Sequence, residues 1–449
     1  MTARITDSLM YRHLWTTPEA RAVFDEEARL QGWLDVLVAL ATAQAAEGVI
    51  PWTAADRIRE LARVELLDLD VVAHETRVTG HSTLGLIRAL HRVLPDDVHP
   101  YVYVGATVQD VTDTWTSLVL RRIGGQVWSH LRRIEELLLE LASTHRDTLV
   151  VGRTHGQAGA PVTFGWKAAS WADEVGRHLE RMAEGAPRWL VGQLGGGVGS
   201  LASMGAAGPS LRRRFCAELS LRDPGISWLT SRDRIAEFGS TLAMVTGTLA
   251  RVGTEVYELQ RPEIAELREP VTAGVVGSIT MPHKRNPERS EHLDTLARLV
   301  RANASVLVEG MVSAHERDGR AWKAEWVALP EVCMLTCAAL QTAEELLEGL
   351  EVDTVAMDRN LGGYTASERA LTVLSERLGR HVARERLHAA LAEGQAAGRS
   401  LADALRHSGL LTPEEASTLA PDPGSCAAMV DTVVASARAR RERERPTWP

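Results

Sequence analysis

Residues 107–144 read TVQDVTDTWTSLVLRRIGGQVWSHLRRIEELLLELAST. Apolar residues recur there at intervals of four, three, four and three: Val127, Leu131, Ile134, Leu138 and Leu141. This is the spacing of a helix that packs along the seam of a bundle. Thr107 and Asp110 have the pattern of a capping box, so the helix is predicted to begin there and to run to about Thr144. Such a length indicates a bundle of long helices.

Similar spacing covers roughly residues 161–187, 232–268 and 288–313, which predicts an all-α fold. The glycine-rich segment 192–199 lacks the Lys-Ser/Thr pair of a phosphate-binding loop, so we expect a tight connection or a close contact between helices. Residues 437–445 carry mixed charge and predict a solvated helix end that frays.

The composition is that of a soluble globular protein, with 449 residues, 45% apolar and 24% charged. This length predicts two to three domains. An uninterrupted apolar run of about 18 residues is absent, so we expect no membrane span. The sequence starts without a basic-then-apolar export signal, and its four cysteines form no disulfide framework. Together these features predict a cytoplasmic protein.

The net charge of −9 argues against a general affinity for nucleic acid. Only three lysines occur among 50 basic residues, so Lys284 stands out as a compact ammonium where arginine is the usual cation. Five histidines lack the spacing of metal ligands: His13, His81, His155, His283 and His292. We therefore predict neither a metal nor another cofactor.

Residues 277–287, GSITMPHKRNP, contain an opening glycine and two prolines, which make a poor helix interior. Helical patterns lie on both sides, so a loop carrying Ser278, Lys284 and Asn286 is predicted. Polar loop residues on a helical scaffold are often functional. An ordinary surface loop is the alternative interpretation of the composition alone.

This segment resembles the signature loop of the fumarase/aspartase superfamily, GSSxMPxKxNP, with Ile279 in place of the usual second serine. The resemblance implies that Ser278 is the base that removes a proton beside a substrate carboxylate. It also implies that Lys284 stabilises the negative charge that results. Asn286 and Met281 are then expected to bind the substrate.

Residues 152–156, GRTHG, match a motif of adenylosuccinate lyases. In that family the histidine is the acid toward the leaving group, and a glutamate seven residues beyond the loop lysine orients it. Those positions are His155 and Glu291 here, while Arg153 and Thr154 are expected to contact substrate. A carboxylate partner would fix the imidazole tautomer and raise its basicity. A purely structural histidine is the alternative.

Residues 105–110, GATVQD, are similar to the family's Thr-Ser-x-Asp motif, and Thr107 is expected to hydrogen-bond a substrate carboxylate. Val108 replaces the serine, which removes one hydrogen bond. His81 lies where adenylosuccinate lyases carry another active-site histidine; a capping or structural role is its alternative.

The resemblance covers nearly the whole chain and implies three helical domains. They are predicted at residues 1–103, 104–351 and 352–449, with the signature loop at 271–287. It further implies a homotetramer with a 20-helix core, in which active sites are shared between subunits.

Two branches of the superfamily compete. Residues 322–330, WKAEWVALP, resemble 3-carboxy-cis,cis-muconate cycloisomerases, but those enzymes usually lack both a histidine at 155 and a glutamate at 291. The nucleotide-binding elements of adenylosuccinate lyases are incomplete at residues 10–13 and 323–326. We therefore expect a lyase with a small dicarboxylate substrate.

The predicted reaction is β-elimination from a substituted succinate, such as amino- or nitrosuccinate, which releases fumarate through an aci-carboxylate intermediate. The alternatives are a carboxymuconate cycloisomerase, an adenylosuccinate lyase and a catalytically inactive structural homologue.

Overall fold

The computed structural model describes residues 4–271, 274–444 and 447–449, and it is mostly helical, as predicted. The first helices are α1 (Arg12–Trp15), α2 (Pro18–Phe24), α3 (Glu26–Ala46), α4 (Trp52–Leu61), α5 (Leu69–Thr79) and α6 (Ser82–His91). The central ones are α7 (Val108–Thr144), α8 (Phe164–Trp189), α9 (Gly208–Glu218), α10 (Asp233–Leu259), α11 (Glu288–Glu309) and α12 (Gly319–Glu348). The last are α13 (Thr354–Asn360), α14 (Ser367–Leu378), α15 (Arg380–Ala396), α16 (Leu401–His407), α17 (Pro413–Ser417) and α18 (Cys426–Arg443).

Two short antiparallel pairs interrupt the helices. The strands are β1 (Leu149–Thr154) with β2 (Gln157–Thr163), and β3 (Leu267–Arg268) with β4 (Glu351–Val352). The chain also forms 3₁₀ helices at Ile5–Asp7, Val64–Leu66, His99–Tyr101 and Ala202–Ala207.

Helix α7 has the predicted bounds, because its cap and its apolar seam are both local signals. The Asp110 carboxylate accepts the backbone N–H of Thr107, the N-cap residue, at 2.9 Å. Four of the five predicted seam residues are buried, and Leu141 is half-buried. In contrast, α10 ends at Leu259, nine residues before the predicted end. Pro262 follows three positions later, and proline cannot donate a helix hydrogen bond and disfavours a helical conformation in the residue before it.

Helices α7, α8, α10, α11 and α12 pack side by side and enclose the main hydrophobic core. A buried ion triad ties three parts of this bundle together. Arg232, next to α10, donates to Asp113 of α7 at 2.7 Å and to Glu325 of α12 at 2.9 Å. Burial alone would lower the pKa of Arg232, but the two carboxylates raise it on balance, so the guanidinium stays charged.

Helix α12 is long and apolar enough to cross a membrane by length and composition, with a mean hydropathy of 1.3 over its most apolar window. Within the fold, 67% of that window is buried among the other bundle helices. A core helix of a soluble protein has the same properties, so this helix is weak support for a membrane span. The cytoplasmic location stays a prediction.

The last part of the chain forms a second, smaller hydrophobic core between α14, α15 and α16. Helix α18 then packs against α7 and α8. The expected solvated helix end holds only in part over the described residues. Arg438, Glu442 and Arg443 are exposed, but Arg440 and Arg441 both bind Glu135, whose side chain is fully buried in α7. The domain boundaries near residues 103 and 351 stay predictions.

Candidate active site

The signature segment, residues 277–287, is the last part of the connection from α10 to α11 and closes on itself through two hydrogen bonds. The Ser278 hydroxyl oxygen accepts the backbone N–H of Met281 at 3.0 Å. The Asn286 side-chain amide donates to the Gly277 carbonyl at 2.9 Å. Ser278, Met281 and Asn286 therefore lie in one compact turn, and an N–H aimed at the serine oxygen stabilises negative charge there.

Lys284 lies across this turn from its first residue. A Cβ atom on Gly277 would sit 2.7 Å from the Lys284 carbonyl oxygen, so the close approach requires glycine. The Lys284 ammonium is exposed and has no ion-pair partner among the described residues. A cavity of about 600 Å³ lies beside it, and its wall includes the basic residues Arg261, Arg268, His283, Lys284 and Arg285. The three arginines each pair with a carboxylate, so among the described residues Lys284 supplies the unpaired permanent charge of this cavity, which suits a small anion.

His155 occupies the tip of the β1–β2 hairpin. With φ angles of 51° and 72°, His155 and Gly156 form the two-residue turn that matches strand twist. A positive φ is unfavourable for histidine, and such residues are concentrated at functional sites. The His155 side chain is exposed, and it has no hydrogen-bond partner in the described part of the chain.

Arg153 fixes this hairpin close to its tip. Its guanidinium donates to both oxygens of the buried Glu266, at 2.8 and 2.7 Å, and Asn360 donates to the same carboxylate at 2.8 Å. Arg153 is thus engaged in a bidentate ion pair, while its neighbour Thr154 is exposed. Because Glu266 follows α10, the ion pair places His155 at the same end of the bundle as Ser278. The expected substrate contacts of Arg153 and Thr154 stay predictions.

Thr107 belongs to a second polar group that sequence reasoning found only in part. Arg317 donates to the Thr107 hydroxyl oxygen at 2.7 Å, and its guanidinium lies 5.9 Å from the Trp322 ring centroid. Tyr103, a residue with a φ of 63°, lies beside the same threonine. Burial raises the pKa of Tyr103, followed by the nearby Asp110 carboxylate, so its phenol stays protonated. We name Tyr103, Thr107 and Arg317 the Thr107 cluster.

Asp110 holds this cluster in place. Its carboxylate accepts the backbone N–H groups of Thr107, Gly195 and Gly196, each at 2.9 Å, and the Gln193 amide at 3.0 Å. Burial raises the pKa of Asp110 to about 6, although these hydrogen bonds lower it. The glycine-rich segment is therefore a close contact that brings donors onto a buried carboxylate.

His81 is the N-cap residue of α6, and its side chain is exposed. Its backbone N–H donates to the Thr79 hydroxyl at 3.2 Å, and its side chain makes no capping hydrogen bond to α6. The catalytic role stays a prediction. Over residues 4–271, 274–444 and 447–449, no group of three or more His, Cys, Asp or Glu side chains is placed to hold a metal ion.

Within one chain, the signature segment and the Thr107 cluster lie at opposite ends of the helix bundle. The signature segment precedes α11, Glu291 lies in the first turn of α11, and Arg317 follows its last turn. Helix α11 has 22 residues, so these ends are about 33 Å apart at 1.5 Å per residue. Among the described residues, His155 and Glu291 share neither a hydrogen bond nor an ion pair. A single chain therefore does not bring Thr107 to Ser278.

Arg317 offers a test of the Thr107 cluster. We expect Arg317→Gln to raise KM for an anionic substrate by roughly 10-fold or more, since a hydrogen bond to a charged group contributes about 1.5–3 kcal/mol. Arg320→Gln is the matched control, because Arg320 is an exposed arginine three residues away that binds Asp318. Equal KM values for the two variants would show that Arg317 does not bind the substrate.

Comparison with known proteins places this geometry in a family. A family model described as Lyase matches residues 12–302. The N-acetyl-S-(2-succino)cysteine lyase of Dickeya dadantii is 39% identical over 386 residues, or 85% of each chain. The adenylosuccinate lyase of Methanothermobacter thermautotrophicus is 38% identical over 393 residues, which cover 86% of this chain and 88% of that protein.

A solved structure agrees with these relatives. The 3-carboxy-cis,cis-muconate lactonizing enzyme of Pseudomonas putida superposes with a TM-score of 0.89 at 35% identity, over 96% of this chain and 99% of that one. The chain therefore belongs to the fumarase/aspartase superfamily, in the branch that includes adenylosuccinate lyases and 3-carboxy-cis,cis-muconate cycloisomerases, and it is an enzyme of that superfamily.

Proposed function

We propose that this enzyme releases fumarate by β-elimination from a 2-substituted succinate, with Ser278 as the base. The observation that carries the proposal is the signature segment, in which the Ser278 oxygen accepts a backbone N–H. The same segment carries Lys284, whose exposed ammonium has no ion-pair partner among the described residues. A serine hydroxyl by itself is a weak base. A donor and a cation nearby stabilise its ionised form and the charge that forms on the substrate.

The reaction balances with the residues named. Ser278 takes the proton from the carbon beside a carboxylate, and the electron pair enters that carboxylate as an aci-carboxylate. Lys284 and Asn286 neutralise and hold it. The electron pair of the aci-carboxylate then forms the carbon–carbon double bond as the bond to the substituent breaks. His155 gives a proton to a basic leaving group, with Glu291 setting its orientation.

The proposed assembly is a homotetramer in which each site combines residues from different subunits. The length of α11, about 33 Å, supports it, because in one chain the signature segment precedes this helix and Arg317, the partner of Thr107, follows it. Exposed apolar side chains on the bundle helices also support it: Met244, Leu299, Val308, Trp326 and Val327. Apolar faces of this kind are covered by partner subunits in oligomers.

A small substituent on the succinate fits the incomplete nucleotide-binding elements. Amino- and nitrosuccinate remain candidates, and the name of the Dickeya relative adds a sulfur-linked substituent. A carboxymuconate cycloisomerase is the second candidate, favoured by the WKAEWVALP stretch and by the likeness to the Pseudomonas structure. The presence of both His155 and Glu291 favours the lyase, because ring closure onto a lactone can dispense with a dedicated acid.

The deciding experiment is a substrate screen with product identification by NMR. The panel contains aspartate, nitrosuccinate, N-acetyl-S-(2-succino)cysteine, adenylosuccinate, argininosuccinate and carboxymuconate. Fumarate from one of the succinates establishes the lyase and identifies its leaving group. Lactone from carboxymuconate, without fumarate from any succinate, replaces the proposal with the cycloisomerase.

Replacement of His155 tests the role of the acid. We expect His155→Asn to lower kcat for a basic leaving group such as an amine by roughly 10²-fold, because general acid catalysis contributes that much. Nitrite is a weak base and leaves without protonation, so the loss on nitrosuccinate should be much smaller. Equal losses on both substrates would indicate that His155 binds substrate and does not protonate it.

A further inference from the structure

Glu269 connects the stretch before the signature segment to the helix that follows the segment. It lies eight residues before Gly277, and its side chain is 5% exposed. Its two carboxylate oxygens accept the backbone N–H groups of Arg289 and Ser290, at 3.1 and 2.7 Å, in the first turn of α11. Glu269, which precedes the segment, thus binds the first turn of α11, which follows the segment.

The backbone of Glu269 extends this network on both sides. Its N–H donates to the Gln260 side chain at 2.7 Å, and its carbonyl accepts from the Arg285 guanidinium at 3.0 Å. Gln260 in turn donates to the Arg285 carbonyl at 3.3 Å. The end of α10, the start of α11 and the last part of the signature segment therefore meet at Glu269, and its carboxylate makes the contact to α11.

We propose that Glu269 is a positioning residue that sets where the signature segment places Ser278, Lys284 and Asn286. The inference rests on the proposed function, since it assigns Glu269 a role through those three residues. Asn286 lies only three positions before Arg289, and its amide closes the turn at Gly277. A shift in the first turn of α11 is therefore transmitted directly to the segment.

A carboxylate is the side chain best suited to this task. The first N–H groups of a helix have no partner within the helix, and their combined dipole stabilises an anion. Each Glu269 oxygen accepts one of them. A glutamine can accept with its carbonyl oxygen, but its NH₂ group would face the second N–H. Glutamine should therefore keep part of the anchor, and alanine should remove it.

Limited trypsin digestion measures the anchor without any substrate. Lys284 and Arg285 are exposed and lie within the segment. We expect Glu269→Ala to be cut after these residues about 10-fold faster than the wild type, because local opening becomes easier. Glu269→Gln should be intermediate. Glu135→Gln is the matched control, since it also removes the charge of a buried, hydrogen-bonded glutamate but lies on α7, with Arg440 and Arg441 as its partners.

Kinetics separate positioning from a loss of folded protein. We expect Glu269→Ala to lower kcat by roughly 100-fold, as a misplacement of about 1 Å does. KM should rise as well, because Lys284 and Asn286 move with the segment. A smaller folded fraction, as expected for Glu135→Gln, lowers the maximal rate and leaves KM unchanged.

The proposal is overturned if trypsin cuts Glu269→Ala after Lys284 and Arg285 no faster than Glu135→Gln, or if KM stays at the wild-type value while the rate falls. Faster cleavage with a raised KM, and partial rescue in Glu269→Gln, supports it. If no succinate in the panel yields fumarate, the proposed function fails, yet the cleavage comparison still decides whether Glu269 anchors the segment.

Discussion

Ser278→Ala is expected to lower fumarate release by roughly 10³-fold or more, because the variant has no group to accept the substrate proton. Positioned bases contribute about 10²–10⁴-fold to a rate. The measurement is kcat on the best succinate of the panel, combined with the affinity for fumarate. The expected result is a large loss in kcat with fumarate affinity within about 3-fold of wild type, since the binding groups remain.

Thr280→Ala is the control for damage to the segment. Thr280 is an exposed hydroxyl residue two positions away, and its replacement leaves the hydrogen bond between Ser278 and Met281 in place. We expect its activity to stay close to wild type. Near-wild-type activity in Ser278→Ala would show that Ser278 is not the base. A similar loss in both variants would assign the effect to the shape of the turn.

Local signals made much of the fold predictable. The cap of α7 and its apolar seam depend on residues three and four positions apart, and the structure has both. The glycines at 195 and 196 were correctly expected at a close contact, although the partner, the Asp110 carboxylate, lies 85 and 86 positions away. The turn that carries Ser278 was also local, since two prolines and a glycine exclude a helix there.

The parts that sequence reasoning missed depend on distant pairs. Arg317 lies 210 positions from Thr107, so no spacing links them, and the positive φ of Tyr103 has no sequence signal. The charges at the end of α18 suggested a solvated helix, because a buried partner such as Glu135 cannot be identified from local composition. A run of charged residues on a helix therefore does not show whether that helix faces solvent or a buried partner of opposite charge.

Mixing two impaired variants is expected to restore activity if sites are shared between subunits. One parent carries Ser278→Ala and the other carries Thr107→Val with Arg317→Gln. In one chain these changes lie beyond opposite ends of α11, a helix about 33 Å long. In a randomly mixed symmetric oligomer, about a quarter of the sites should receive an intact segment from one subunit and an intact Thr107 cluster from another.

A control mixture makes this result specific. Ser278→Ala combined with Lys284→Ala changes the same segment twice, and a site that takes its whole segment from one subunit gains nothing from mixing. We therefore expect recovery to about a quarter of wild-type activity in the first mixture and none in the control, measured on hybrids purified through two different tags. Absence of recovery in the first mixture would mean that Thr107 and Ser278 do not act in a shared site. In that case the 33 Å separation would exclude Thr107 from the reaction, because the segment would then have to complete its site with residues at its own end of the bundle, such as His155 and Glu291.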